Sequence, residues 1–512
     1  MAADALLRLS SKRGRWVLAV SILGSAVAFL EATVVNVALP EIGRDLDASV
    51  SGLQWVLNGY LLTLAGLILL GGTLGDRYGR RRVFSIGVVW FTVASALCAL
   101  APSVEVLVAA RVLQGIGGAL LAPGSLAIIE AVFRSEDRPR AIGAWSALGG
   151  VAAAIGPLVG GFLIDATSWR SVFLLSVPLG VFVVVAAARH VPETRDETVT
   201  GRLDLSGSVL VTLALAGGTF ALVQAPTGDT VAPAVAAGAA GLAALVAFVV
   251  VERRSAHPML PLEIFSSRQF TSANVLTFIV YAALGGVFFL LVLFLQVSLG
   301  YSPIAAGSAS LPVTALMLLL SSRAGALAQR IGPRLPLTVG PLLIAVGMLL
   351  MSRIEPGDGY VEAVLPAVTV FGLGLAATVA PITATALAAS DDRHAGLASG
   401  VNNAVARTAQ LTAVAALPAL AGLTGADFED PLALADGFQT AMLVTAGVAA
   451  AGSVIALATI RNDVLEPAGA EAAAGDGTAE RQLAHCAVAG TPLRQERPAA
   501  RPAPVGAGDR AS

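Results

Sequence analysis

Lysine is almost missing from this 512-residue chain: Lys12 is the only one, so no GxxxxGK(S/T) phosphate loop exists and the chain does not burn ATP through a site of its own. Cysteine is nearly as scarce. Cys98 lies in an apolar run and Cys486 in a polar tail, a membrane apart on the topology below, which excludes a disulfide framework or a cysteine metal site. The four histidines, His190, His257, His394 and His485, all fall in loops or tail, so imidazole is excluded as a mid-membrane proton relay or metal ligand. Charged residues make up only 13%, without the basic stripe that nucleic acid requires. Period-two alternation is missing as well, which leaves no basis for strands.

Hydrophobic residues, by contrast, reach 56% and the mean hydropathy is +0.79, the composition of a polytopic membrane protein and not of an enzyme domain. Lys12, Arg13 and Arg15 followed by the apolar run Val17 to Leu30 have the outline of a signal peptide. The run continues through Glu31 to Pro40 without a convincing cleavage site, so it is read as an uncleaved first span. A span needs about 20 apolar residues, and fourteen candidates meet that need. They lie near 16–38, 53–74, 83–101, 105–131, 141–164, 170–189, 205–225, 232–251, 271–297, 303–323, 333–352, 361–389, 395–422 and 437–460. Helix is the only plausible state for them, because lipid demands backbones satisfied from within.

Arginines cluster in alternate loops: Arg77, Arg80, Arg81 and Arg82, then Arg134, Arg138 and Arg140, then Arg189, Arg195 and Arg202, then Arg253, Arg254 and Arg268, then Arg330 and Arg334. The intervening loops hold only Arg44, Arg170 and Arg353, and they lean acidic with Asp427, Glu429, Asp430 and Asp436. The positive-inside rule then puts both termini in the cytoplasm and calls for an even number of spans.

The most informative segment is the glycine-punctuated basic turn GGTLGDRYGRRRVF, Gly71 to Phe84. Its Gly72, Leu74, Arg77, Gly79 and Arg81 recur at one constant offset as Gly325, Leu327, Arg330, Gly332 and Arg334, whereas Asp76 has become Gln329. Arg140 and Gly143 recur at the same offset as Arg393 and Gly396, so the chain is an internal duplication of the kind secondary transporters carry. Six spans fill about 190 residues, which leaves roughly 60 of the offset for two inserted helices. The expected organisation is a short cytoplasmic N-terminus (1–15), a six-helix half (16–190), two inserted helices with their loops (191–270), a second six-helix half (271–460) and a disordered cytoplasmic tail (461–512), rich in Ala, Pro, Gly and Arg.

With imidazole excluded, an intramembrane proton carrier has to be a carboxylate. Glu31 sits in the first span on a face with Gly24 and Ala28, small residues that admit a neighbouring helix. An ionisable group in hydrocarbon is a functional candidate by default, since burial favours its neutral form and a nearby arginine its charged form. Permanent pairing with Arg111 as structural glue is the alternative. Arg111 lies in the fourth span with Gly115, Gly118 and Ala122 on its face, a small stripe that places the guanidinium on a helix seam unless it snorkels to the nearer surface. In the fifth span Gly149, Ala153, Gly156 and Gly160 make one face nearly smooth and Pro157 removes a backbone bond, which suits a helix that slides against its partner and equally suits tight static packing. Asn36, Asn58, Gln114, Asn403, Arg407 and Gln410 are the candidate polar lining of a central cavity. The tenth span, Ser302 to Ser322, holds no acid, so a second negative site for dications is not apparent and monovalent or neutral lipophiles are the expected cargo.

Taken in order, these segments resemble the fourteen-helix drug:proton antiporters of the major facilitator superfamily over roughly residues 16 to 460. LEATVVNVALP looks like the family's first-helix signature, with Glu31 where the family usually has Asp. The turn from Gly71 is similar to the superfamily loop between helices 2 and 3, RVLQGIGGALLAPGS resembles the fourth-helix signature, and GPLVGG, with Gly156, Pro157, Gly160 and Gly161, looks like the antiporter motif, one glycine of its longer form being Ala152 here. WRSVFLLSVPLG is typical of the sixth helix. The resemblance implies an all-α major facilitator fold of two six-helix halves plus two central helices. It further implies proton coupling through Glu31 and Arg111 and gating by Gly72, Asp76, Arg77, Gly79 and Arg80, with Asp76 locking the cytoplasmic side. In physical terms Asp76 could cap a nearby helix start, and Arg80 or Arg81 could pair with Glu130 or Glu193. The expected function is export of small amphipathic or lipophilic compounds across a bacterial plasma membrane by a monomer that uses the proton gradient and no cofactor or metal. Two alternatives stay open: a dedicated exporter of one endogenous metabolite, and a membrane sensor or scaffold that no longer transports.

Overall fold

The computed structural model describes residues 6–196, 203–224, 231–255, 257–390, 395–423, 425–428 and 430–465. The start of the expected disordered tail is ordered instead, with a 3-10 turn at Asn462–Leu465, while the rest of it, with His485 and Cys486, and also Arg202, Arg393, His394 and Glu429, lie outside the described residues.

Helices form where the apolar runs predict them and extend past most of those runs at one end or both. We number them α1 (Lys12–Leu46), α2 (Val50–Tyr78), α3 (Arg80–Ala99), α4 (Val104–Val132), α5 (Arg138–Ala166), α6 (Arg170–His190, interrupted at Leu175), α7 (Leu205–Gln224), α8 (Val231–Arg254), α9 (Arg268–Val297), α10 (Pro303–Ile331, interrupted at Ser310), α11 (Arg334–Met351), α12 (Tyr360–Ala388, opening with a π turn), α13 (Ala395–Leu420) and α14 (Pro431–Thr459). Their starts carry local signals. The side chains of Ser11, Ser49, Ser267 and Ser302 accept the backbone N–H of Gly14, Gly52, Phe270 and Ala305 to cap α1, α2, α9 and α10, and Asp430 does the same for α14. Among the described residues, twelve of these segments are long and apolar enough to cross a membrane. The other two are α5, of which Ile155–Ala166 is the apolar part, and α13, whose middle carries Asn402, Asn403, Arg407 and Gln410.

The duplication is visible in three dimensions. In the first six helices α1 packs on α4, α5 and α6, α2 on α4, and α3 on α4 and α6; each of those pairings recurs eight helices later, as α9 on α12, α13 and α14, α10 on α12, and α11 on α12 and α14. Two main seams join the sets, α2 against α13 and α5 against α10, and they exchange under the same renumbering; α1 touches α9 as well. The inserted α7 and α8 pack on each other, and α7 covers the α2–α13 seam. Their outer faces stay exposed, with Leu205, Val209, Leu213, Val235, Leu242 and Val246 turned outward, as lipid-facing helices require.

The buried core runs through both sets and holds Phe173, Phe289, Phe294, Phe371 and Phe438, with Phe294 and Phe438 stacked at 4.3 Å. This places the polar groups described next deep inside an apolar body.

Candidate functional site

Glu31, near the middle of α1, is 2% exposed, and Arg111, about two turns inside α4, is 1% exposed. They meet: Arg111 Nη1 lies 3.4 Å from Glu31 Oε1. Three other contacts hold the arginine. Its Nε donates to the Val56 carbonyl at 2.9 Å, its Nη1 donates to Gln114 Oε1, and its guanidinium stands 4.5 Å over the Tyr60 ring. Gln114 is fixed in turn by donating to Ser95 Oγ at 2.7 Å, and Ser95 donates to the Phe91 carbonyl at 2.9 Å. The small stripe that accompanies Arg111 does pack against a helix, since a Cβ on Gly115 would strike the Thr63 and Tyr60 of α2 and one on Gly118 would touch Leu64 and Tyr60 at 3.4 Å. Arg111 therefore does not snorkel.

The carboxylate is held more loosely than the guanidinium. Apart from the one 3.4 Å approach of Arg111, long for a charge-assisted bond, Glu31 accepts a hydrogen bond from Ser176 Oγ at 3.0 Å and has the Gln114 side chain beside it. Ser176 lies in α6 and was not singled out in the sequence; the signal was there in WRSVFLLSVPLG, where it is the hydroxyl set between apolar residues on both sides, Ser171 being the one beside Arg170. Removing the charge of Glu31 would leave Arg111 anchored by Val56, Gln114 and Tyr60.

The smooth face of α5 packs on α1. A Cβ on Gly149 would meet Phe29 at 3.0 Å and one on Gly160 would meet Val34 at 2.8 Å, while Gly156 faces Thr33, Val34 and Leu30. Gly161 and Pro157 serve the other set of helices. A Cβ on Gly161 would sit 2.5 Å from Ile304 Cα and 2.6 Å from the Pro303 carbonyl of α10, and Gly307 of α10 abuts the Pro157 carbonyl. Both contacts belong to the end of the bundle opposite the arginine-rich loops. Four hydrogen bonds join the two sets at that same end: Gln54 Nε2 to the carbonyls of Val414 (2.9 Å) and Ala415 (3.3 Å), Gln296 Nε2 to the Val37 carbonyl (3.0 Å), and Ile304 N to Asp165 Oδ2 (3.2 Å). At the arginine-rich end of α5 and α13, nothing lies within 4 Å of a Cβ on Gly143 or Gly396. The hydrogen bonds that join the two sets among the described residues thus gather at one end, although Gly400 of α13 still meets Leu69 of α2 toward the other.

The two glycine turns also share a geometry. Gly79 has φ +111° and Gly332 φ +85°, a backbone that side-chain-bearing residues rarely adopt, so these two positions explain why glycine recurs there. Each turn is capped from afar: Arg81 N donates to Glu193 Oε1 at 3.1 Å and Arg334 N to Asn462 Oδ1 at 3.2 Å. Arg81 adds an ion pair to Glu193 at 3.5 Å, as the sequence allowed. Arg80 takes another partner than Glu130. It pairs with Asp76 at 2.8 Å, four residues away, and Asp76 is drawn into this pair instead of capping a helix start, α3 following Gly79 without a side-chain cap. The strand of chain at 194–196 straps the turn, with Arg80 N donating to Thr194 O (2.8 Å) and Asp196 N to Asp76 O (2.9 Å). Arg77 lies over the Tyr78 ring at 5.5 Å. The close approach in this region belongs to Gly71, against Ala119 and Leu120, whereas a Cβ on Gly72 would find only Pro123 at 3.8 Å.

Of the polar residues predicted to line a cavity, Gln114 is committed to Arg111 and Ser95 inside the first helix set, so it is not a lining residue here. Asn58 is 0% exposed and neither polar atom of its amide finds a partner among the described residues. Asn36 is half-buried and donates to the Ala32 carbonyl at 3.3 Å. In α13, Asn403 is exposed and Arg407 and Gln410 are half-buried, with Arg407 Nη1 donating to Gln410 Oε1 at 3.0 Å.

The family model of the Major Facilitator Superfamily matches residues 21–414. The chain belongs to the major facilitator superfamily. Among curated relatives, the multidrug resistance protein Stp of Mycobacterium tuberculosis is 36% identical over 75% of this chain and 71% of its own, and the tetracenomycin C resistance and export protein of Streptomyces glaucescens is 36% identical over 77% of this chain and 73% of its own. Among solved structures, a bacterial homolog of the human lysosomal transporter Spinster, in an inward-facing and unoccupied conformation, superposes with a TM-score of 0.62 at 19% identity, covering 88% of this chain and 98% of that one, a likeness of fold. The protein is thus a multi-pass membrane transporter and not an enzyme.

Proposed function

We propose that this protein exports small amphipathic or lipophilic organic molecules from the bacterial cytoplasm in exchange for protons, by alternating access, with Glu31 as the proton carrier. The observation that carries the proton assignment is the single 3.4 Å approach between Glu31 and Arg111, with the arginine separately anchored. A bidentate pair would resist protonation; this carboxylate can lose its charge without unmooring its neighbour. The export assignment draws support from the names of the relatives, a multidrug resistance protein and a resistance and export protein. The latter name equally supports a dedicated exporter of one metabolite. A sensor or scaffold would have no use for a loosely paired buried carboxylate.

In this proposal all fourteen helices cross the membrane, the arginine-rich loops and both termini face the cytoplasm, and the bodies that rock are 16–190 and 271–460, with 191–270 inserted between them. A monomer suffices, and the proton gradient replaces any cofactor. Asp76, Arg77, Gly79 and Arg80 form the cytoplasmic gate, and Gly156 to Gly161 the opposite one.

The test uses proteoliposomes with an imposed pH gradient. Wild type accumulates an amphipathic substrate against its concentration, and Glu31→Gln loses that accumulation while keeping gradient-independent exchange. Accumulation by the variant at the wild-type level would remove Glu31 from the proton path.

A further inference from the structure

Arg407 stands at the midpoint of α13, about 18 Å from either end of the helix at 1.5 Å per residue. An arginine stays charged at any physiological pH. Its one hydrogen-bond partner is Gln410, three residues away on its own helix, and no carboxylate lies within ion-pair distance of it among the described residues. Glu31, the acid at mid-membrane, is already engaged by Arg111. The helical positions of Asn403, Arg407 and Gln410 put them on one face. The opposite face of α13, with Val401, Ala404, Val405 and Thr408, closes on α2 and the inserted helices around an apolar cavity of about 170 Å³. Asn402, on a third face, bonds Asn274 and Thr277 of α9. The Arg407 face is therefore the one left for the space between the two helix sets. Gln410 itself packs over Gly285 of α9, whose missing side chain makes room for it.

A charge at this depth without a counterion is costly, and such residues mark substrate pathways. Resting on the export function proposed above, we infer that Arg407, with Gln410 and Asn403, is the head-group site for an anionic amphiphile, one bearing a carboxylate or an equally acidic oxygen. A planar guanidinium with free N–H groups presents a fork that fits two carboxylate oxygens. A lipophilic cation of the same size meets repulsion there. This reverses the expectation of monovalent or neutral cargo in one respect: monovalent stands, but with negative sign. It also separates the two ligands, because the proton is carried in the first helix set and the anion is held by the second. Their exchange then depends on the rocking of the halves and not on competition for one carboxylate.

Direct binding to the purified full chain tests this, with naphthoate, its neutral amide naphthamide and naphthylmethylammonium as probes. The expected order for wild type is naphthoate above naphthamide above the ammonium. Arg407→Gln should weaken naphthoate by roughly ten- to a hundredfold, the range for a hydrogen bond to a charged group, with naphthamide changed little. Arg407→Lys should recover part of the loss, which a merely misfolded site would not. Equal binding of naphthoate and naphthamide by wild type, or unchanged naphthoate binding by Arg407→Gln, overturns the anion site. Gradient-driven transport in proteoliposomes is read separately: a protein that binds naphthoate but moves nothing refutes the export function and leaves the site standing.

Discussion

Gly161→Ala isolates the closure at the end opposite the arginine-rich loops. The new Cβ would lie 2.5 Å from Ile304 Cα and 2.6 Å from the Pro303 carbonyl oxygen, both backbone atoms that cannot swing away as a side-chain tip could. Ordinary carbon contacts begin near 3.5 Å, so α5 and α10 have to part by roughly 1 Å. Overpacking of this kind costs about 1–3 kcal/mol. The cost falls only on the conformation in which the two helices touch, and a two-state equilibrium then moves roughly 5- to 150-fold toward the conformation in which they do not. Spin labels at Thr167 and Ser302, exposed positions flanking the contact, would read it in a background without Cys98 and Cys486. The expected result is a distance distribution shifted to longer values in Gly161→Ala. Gly143→Ala, whose Cβ has open space around it, should leave the distribution alone. A folded Gly161→Ala protein with the wild-type distribution would refute the idea that this contact is a gate.

Asp76→Asn removes the ion pair with Arg80, whose side chains are 35% and 19% exposed, so stability should change by no more than about 1 kcal/mol. Transport assays should show slower turnover with substrate affinity largely spared; a pure affinity loss would contradict a gating role. Asp204, just before α7, accepts hydrogen bonds from Gly207 N at 2.7 Å, Ser206 Oγ at 2.8 Å and Met259 N at 3.3 Å. Partial burial pushes its carboxyl up, but these hydrogen bonds outweigh it and hold the group below its ordinary value. A depressed carboxylate stabilises the fold above its unfolded-state value and loses that effect as pH falls through the folded one. Thermal unfolding of Asp204→Ala should therefore show a deficit of about 1 kcal/mol near neutral pH that shrinks below roughly pH 4; a deficit independent of pH would sink the assignment.

The helices were legible because each apolar run is long and lipid leaves no other backbone solution. The duplication was legible from one turn, since a positive φ at Gly79 and Gly332 tolerates few substitutes and so preserves its mark. The meeting of Glu31 with Arg111 was foreseeable as a pair of costly charges that need each other. What escaped was whatever depends on rotation about a helix axis between neighbours that spacing does not fix. Ser176 reaches Glu31 from α6, and Gln114 turns inward to Arg111 instead of lining a cavity, because either face of those helices would have served the apolar pattern equally well. Of the neighbouring glycines that open the turn, Gly71 and not Gly72 makes the close approach, beside Ala119, a difference of about 100° around the helix that sequence spacing alone could not set.

The two copies of the glycine turn began alike and now differ in chemistry. In the first, Asp76, Arg80, Arg81 and Glu193 tie the bend with ion pairs; in the second, Gln329, Pro333 and Asn462 occupy the corresponding surroundings, and the cap on Arg334 comes from a neutral amide. Dissolved electrolyte weakens exposed ion pairs and barely touches amide contacts. One corner of the molecule is consequently tied by contacts that follow the ionic strength of the surrounding fluid, while its twin is held by contacts that do not.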